Sequence, residues 1–302
     1  MKVHVEAKPL HEPLAGGTPG ATVAIEPIVA GHTNLPLMAM ESPNGRFVKL
    51  KSLRAMLTGK PPLTIPIPTF LIRHPSAGAI LVDTGLHPSI ATDGHENFGK
   101  LATRVGKPTL EAGEDVPAQL RKRGLNPNEI PVVVMTHMHL DHTSAISEFP
   151  NSTFVVSEDE WEAAATGPQP FLNGYRRTHF DYAFDYRTVD FDRGGIDSYA
   201  TFGRTFDLFG DGSVRLVYTP GHSVGHQSLI VRLKDREALL AGDAVYNSDV
   251  LDHERRSQFL QDEHNWRRSL REIQLYRREN PGALIIPSHD HEVWAGLDEA
   301  YE

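Results

Sequence analysis

The stretch VVVMTHMHLDHTSA, Val132 to Ala145, decides how the rest of this 302-residue chain is read. It begins with an apolar run of the kind that fills a strand buried on both faces. Directly after it, His137, His139, Asp141 and His142 form the pattern H-x-H-x-D-H. A strand that ends at Thr136 and releases a tight loop points alternate side chains the same way. His137 and His139 then hold one cation, while Asp141 and His142 turn toward a second. Imidazole and carboxylate together suit divalent zinc, manganese, iron or cobalt. A solvated polar loop is the plain alternative, and it leaves four ligand-type side chains after a buried strand unexplained.

Two cations need more ligands than one loop supplies, and three later strands end in suitable residues. Val214 to Tyr218 runs into TPGH and His222, Ala238 to Leu240 into AGD and Asp243, and Leu284 to Ile286 into PSHDH and His289. Strand ends that share one edge of a sheet bring such residues together. Further short strands are expected at Thr153 to Val156 and Ser228 to Leu233, with a hairpin of Thr69 to Ile72 and Ala79 to Val82 around HPSAG. Helices are expected over Val116 to Arg123, closed by Gly124, and after Ser157, whose capping box is completed by Glu160. Asp262 to Glu279 places Trp266, Leu270, Ile273 and Tyr276 at helical steps. Strands and helices interleave, which predicts one layered α/β domain over residues 1–302 with mixed sheets. Residues 1 to about 20 are expected to form an extended arm. The aromatic-rich stretch from about 167 to 203 reads as an inserted cap or long loop.

Composition excludes several classes. Acidic residues number 39 and basic ones 30, a net charge of −9, which is a poor match for nucleic acid. The absence of cysteine removes disulfides, thiolate ligands and a cysteine nucleophile. No apolar run is long enough to span a membrane, and the first residues lack a secretory apolar core, so a cytoplasmic protein is expected.

Together THMHLDH, TPGHS, AGD and PSHDH resemble the metallo-β-lactamase superfamily, over the chain from about residue 65 to His289. The resemblance implies a four-layer αβ/βα sandwich with two mixed sheets. It implies two divalent metal ions per chain, zinc first, with iron, manganese or cobalt as alternatives. His137, His139 and His222 would hold one metal and Asp141, His142 and His289 the other, with Asp243 bridging. Asp83, in LVDTGL, matches an early aspartate that supports the site without binding metal. His139 departs from the flavodiiron branch, which carries Glu there. The missing cysteine and export signal depart from the antibiotic-degrading branch, and the acidic charge from RNA-processing members.

Tyr246, three residues after the bridging Asp243, resembles a tyrosine that reaches the substrate carbonyl in N-acyl homoserine lactonases; its other reading is a buried aromatic at a strand end. The implied reaction is attack of a metal-bridging hydroxide on a small-molecule lactone or ester. Tyr246 would donate to the oxyanion and Asp141 carry a proton to the leaving group. Thioesters, aryl esters or phosphotriesters on the same metals are the alternative, as is a non-catalytic metal-binding member of the fold. Leu140, where lactonases often carry Phe, and the sequence TSAI after the metal loop depart from that family at the substrate pocket. His226 is expected beyond the ligand set, His291 to point away, and His179 to lie exposed in the 167–203 stretch. Phe171, Tyr175, Phe180, Tyr182, Phe184 and Tyr186 either wall an acyl tail, pin that stretch to the domain, or form a homodimer contact.

Overall fold

The computed structural model describes residues 3–35, 63–257 and 259–302. Its strands are β1 (Lys8–Pro9), β2 (Ala24–Leu35), β3 (Leu63–His74), β4 (Gly78–Val82), β5 (Val132–Val134), β6 (Thr153–Ser157), β7 (Asp185–Val189), β8 (Asp197–Tyr199), β9 (Phe202–Asp207), β10 (Val214–Tyr218), β11 (Gln227–Arg232), β12 (Glu237–Leu240) and β13 (Leu284–Ile286). They form two sheets, ordered β1-β7-β6-β5-β4-β3-β2 and β13-β12-β11-β10-β9-β8. Both are mixed: β4, β5, β6 and β7 run parallel while β2, β3 and β4 alternate, and β12 and β13 are the parallel pair of the second sheet.

Alternation along the strands sorts side chains into layers. Val132 and Val134 of β5 join Phe70, Ile80, Leu216, Leu229 and Leu240 in the core between the sheets. Val133 points the other way, to Leu71, Leu81, Phe154 and Trp161 beneath the helices Val116–Lys122 and Glu158–Ala165. On the far side Val217, Ile230 and Leu239 meet Trp266, Leu270, Ile273 and Tyr276 of the helix Glu263–Glu279. Helix, sheet, sheet, helix is the expected αβ/βα sandwich. No helix among the described residues is long and apolar enough to cross a membrane.

The N-terminal segment lies across both sheets, donating from Leu10 N to Thr188 O (2.7 Å) and from Leu14 N to Leu208 O (2.8 Å). The 167–203 stretch corrects the expectation of a cap or long loop: β7 and β8 lie inside it and extend one sheet each. Both are short, and charged residues interrupt their apolar ones, so neither period stood out in the sequence. Its rings mostly pin it down. Tyr175, Phe180 and Tyr186 are buried, and Tyr186 lies 4.7 Å from the Trp161 ring, while Phe171 and Tyr182 are exposed.

Candidate metal centre

Because β4 and β5 are parallel, their C-terminal ends share an edge, and so do those of β10, β12 and β13. Gln227, at the start of β11, joins the two edges: its N–H donates to Thr136 O and its Nε2 to Met135 O, both at 2.9 Å. Every loop that carries a candidate ligand therefore leaves the same end of the sandwich. The structure brings His137, His139, His222 and Asp243 into one cluster and Asp141, His142 and His289 into a second. Donor atoms within each cluster lie within 4.8 Å of one another.

Asp243 stands between the two. Its Oδ2 lies 3.3 Å from His222 Nε2 and 3.8 Å from His137 Nε2. Its Oδ1 lies 3.2 Å from His289 Nε2 and 3.5 Å from His142 Nε2. His222 Nε2 faces His137 Nε2 at 3.1 Å and His139 Nδ1 at 2.8 Å.

The outward-facing nitrogens fix what the inward ones present. His142 Nδ1 donates to Asp83 Oδ2 (2.8 Å), and His289 Nδ1 donates to the Pro66 carbonyl (2.8 Å). His137 Nδ1 meets Thr136 Oγ1 at 3.1 Å, and that hydroxyl spends its own proton on Asp83 Oδ2 at 2.7 Å. A neutral imidazole that donates from one nitrogen offers a lone pair from the other. The Nε2 lone pairs of His137, His142 and His289 therefore converge on the centre, and His142 Nε2 and Asp243 Oδ1 are buried without a hydrogen-bond partner. Such a set of facing lone pairs fits divalent cations, and little else satisfies it. Burial holds His137, His139 and His222 below their ordinary values. Burial also presses on His142 and His289, but nearby carboxylates, Asp83 foremost for His142 and Asp243 for His289, hold both above theirs. Asp243 is kept well below the usual carboxylate range against its own burial, by His289 and His142.

Tyr246 is buried, with its phenol 3.1 Å from His222 Nδ1, and burial followed by the Asp243 charge keeps it protonated. Asp141, with its side chain 24% exposed, and His139 are the half-buried members of the set, the others being buried. His226 lies outside the ligand clusters; its Nε2 accepts from Asp243 N (3.0 Å), and burial lowers it to about 3. His291 is exposed. His179 corrects the expectation of an exposed loop histidine. It is buried behind the metal loop, 3.1 Å from Thr143 Oγ1 and 3.0 Å from Asn97 O, and no local pattern flags it because both partners are distant in sequence. The Gly174 segment was likewise not foreseen: Leu140 N donates to Gly174 O (3.0 Å), and a Cβ at Gly174 would lie 2.6 Å from His139 Cδ2.

Ligand-bearing loops at one edge of an αβ/βα sandwich, split into two clusters around a shared aspartate, define a metal-dependent hydrolase fold. The chain belongs to the metallo-beta-lactamase superfamily, whose family model matches residues 64–289. It is 35% identical over 239 residues to the N-acyl homoserine lactonase AttM of Agrobacterium fabrum, covering 79% of this chain and 87% of that one. An N-acyl homoserine lactonase of Bacillus cereus is 26% identical over 214 residues, 70% of this chain and 77% of the other. Among solved structures, an N-acyl homoserine lactone hydrolase with N-hexanoyl-L-homoserine bound at its catalytic metal center superposes with a TM-score of 0.72 at 22% identity, covering 94% of this chain and 98% of that one.

Proposed function

We propose that this protein is a dinuclear metal hydrolase that opens the ring of N-acyl homoserine lactones. The observation that carries the reading is Asp243, with one oxygen toward each histidine cluster, in a chain 35% identical to such a lactonase. His137, His139 and His222 would hold one cation, Asp141, His142 and His289 the other, and Asp243 both; imidazole and carboxylate donors favour zinc. A pair of divalent cations supplies Lewis acidity and makes water a nucleophile near neutral pH.

The remaining work falls to the chain. With Nε2 turned into the three-histidine cluster, His222 would carry its proton on Nδ1 and donate it to the Tyr246 oxygen. The Tyr246 O–H, which in the substrate-free protein also turns toward Asp243, would donate to the lactone carbonyl oxygen as negative charge develops there, a role worth about 3 to 4 kcal/mol for a single donor. Asp141, partly open to solvent, would take the proton given up by the attacking water and pass it to the ring oxygen as the C–O bond breaks, leaving the carboxylate and the free hydroxyl of the product. The test is turnover of a panel of acyl homoserine lactones, thioesters and aryl phosphotriesters by protein carrying close to two metals per chain. Lactones should be turned over best. Inert lactones beside a reactive thioester or phosphotriester would overturn the substrate assignment, and fully loaded protein inactive on all three would overturn the enzyme.

A further inference from the structure

Ser157 and Glu160 have the spacing of a capping box, in which the glutamate turns back to the N-cap amide. Half of that box forms: Glu160 N donates to Ser157 Oγ at 3.2 Å. The carboxylate does something else. Glu160 Oε1 accepts from Met138 N (2.9 Å) and Oε2 from Gly225 N (3.1 Å), and the residue is fully buried. Met138 stands between His137 and His139, and Gly225 lies three residues after His222. One side chain thus grips both loops that supply the three-histidine cluster. The approach is close: a Cβ at Gly225 would lie 2.2 Å from Glu160 N and 2.3 Å from Ser157 Oγ. Ser157 Oγ completes the clasp by donating to Gly225 O.

We propose that Glu160 is a positioning residue for the three-histidine metal site, setting the separation of the His137–His139 loop from the His222 loop. A helix cap alone does not call for a buried carboxylate, whose desolvation is costly unless each oxygen is well bonded. Two backbone N–H groups bonded to an ionised carboxylate make strong, directional ties. Each oxygen holds one of these amides, the Tyr175 hydroxyl also bonds the carboxylate, and Glu160 belongs to neither ligand cluster, so it acts through the loops and not as a ligand. Its charge also reaches the site: among the carboxylates that oppose the burial of His139, Glu160 contributes most.

The inference rests on the dinuclear reading above, and the test separates the two. Glu160→Gln keeps shape but turns one acceptor into a donor, so an –NH2 must face either the Met138 or the Gly225 amide. Metal-free wild type and E160Q are titrated with cobalt(II) against a competing chelator, following the d–d absorption. Wild type should take two equivalents. E160Q should keep one at wild-type affinity, bind the other about 10 to 100-fold more weakly, and show an altered d–d band. Two equivalents at wild-type affinity with an unchanged band in E160Q would overturn the positioning role alone. A wild type that takes up no cobalt would overturn the dinuclear reading and this one with it. If E160Q does not fold, hydrogen exchange on the metal-free wild type decides. The Met138 and Gly225 amides should be protected without metal, and exchange at the rate of an open loop overturns the proposal.

Discussion

Asp83→Asn should weaken the second metal more than the first, because His142 bonds Asp83 directly while His137 reaches it only through the Thr136 hydroxyl. Asp83 accepts three hydrogen bonds: Thr136 N on Oδ1 (2.8 Å), and Thr136 Oγ1 (2.7 Å) and His142 Nδ1 (2.8 Å) on Oδ2. It does so with φ at 63°, a left-handed backbone that asparagine also tolerates, so the change is confined to the carboxylate. Asparagine offers one oxygen for two positions. With its –NH2 toward His142, the imidazole must accept on Nδ1 and carry its proton on Nε2, the atom 3.5 Å from Asp243 Oδ1, and it no longer offers a lone pair there. With its –NH2 toward Thr136 N, two donors meet in a buried space. Support of this kind is worth about 10 to 100-fold in metal affinity, or about 1.4 to 2.7 kcal/mol. The unpaired donor costs the metal-free fold a further ~1 to 3 kcal/mol. Chelator competition would read the affinities and urea unfolding the stability. D83N protein that binds two metals at wild-type affinity would refute the tautomer argument, and so would preferential loss of the three-histidine site.

Tyr246→Phe, with both metals still bound, should lower kcat by about 100 to 1000-fold; an unchanged kcat would reduce Tyr246 to a packing residue beside His222. Gly221→Ala should destabilise the protein by about 3 kcal/mol or more. A Cβ there would sit 2.2 Å from Trp266 N at φ 135°, where backbone cannot yield, and a thermal melt within two degrees of wild type would contradict this. His179 is neutral in the fold because burial lowers it to about 3. Its contribution is present above its unfolded value near 6.5 and is lost as pH falls, by about 1.4 kcal/mol per unit and roughly 2 kcal/mol at pH 5. Urea midpoints from pH 7 to 4 should fall less steeply for His179→Gln than for wild type, and parallel slopes would rule the effect out.

The residues that the sequence disclosed are those whose physics is local. Val132–Val134 read as a strand because it is an apolar run buried on both sides, and Val214–Tyr218 and Leu284–Ile286 because each is a short, mainly apolar segment. His137 to His142 stood out because four ligand types crowd one loop. The helix Glu263–Glu279 announced itself through the spacing of Trp266, Leu270, Ile273 and Tyr276. What stayed hidden depends on partners far along the chain. β7 becomes a strand by pairing with β6 and β1, and five residues reading DYRTV give no period of their own. Glu160 was legible as a cap because Ser157 is three residues away, but its bonds to Met138 and Gly225 span 22 and 65 positions. The Pro66 carbonyl that orients His289 lies 223 residues away and belongs to the backbone, which residue identity does not report.

Charge explains why two of these supports are carboxylates. On the proposed reading two divalent cations bring four positive charges into a buried edge. Asp141 and Asp243 would answer two of them as ligands. Asp83 and Glu160 are buried carboxylates outside both ligand clusters, and their partners are backbone amides, the Thr136 and Tyr175 hydroxyls and the His142 ring instead of lysine or arginine. Two such anions without cationic side chains would be costly in an apolar interior. Asp83 bonds the His142 ring directly, and Glu160 bonds the amide between His137 and His139. On that reading each would serve as a hydrogen-bond anchor and counter-charge at the edge of the centre. The pull of carboxylates is felt at the ligands themselves: Asp83 foremost for His142, and Asp243 for His289, hold these two imidazoles above their ordinary values against their burial.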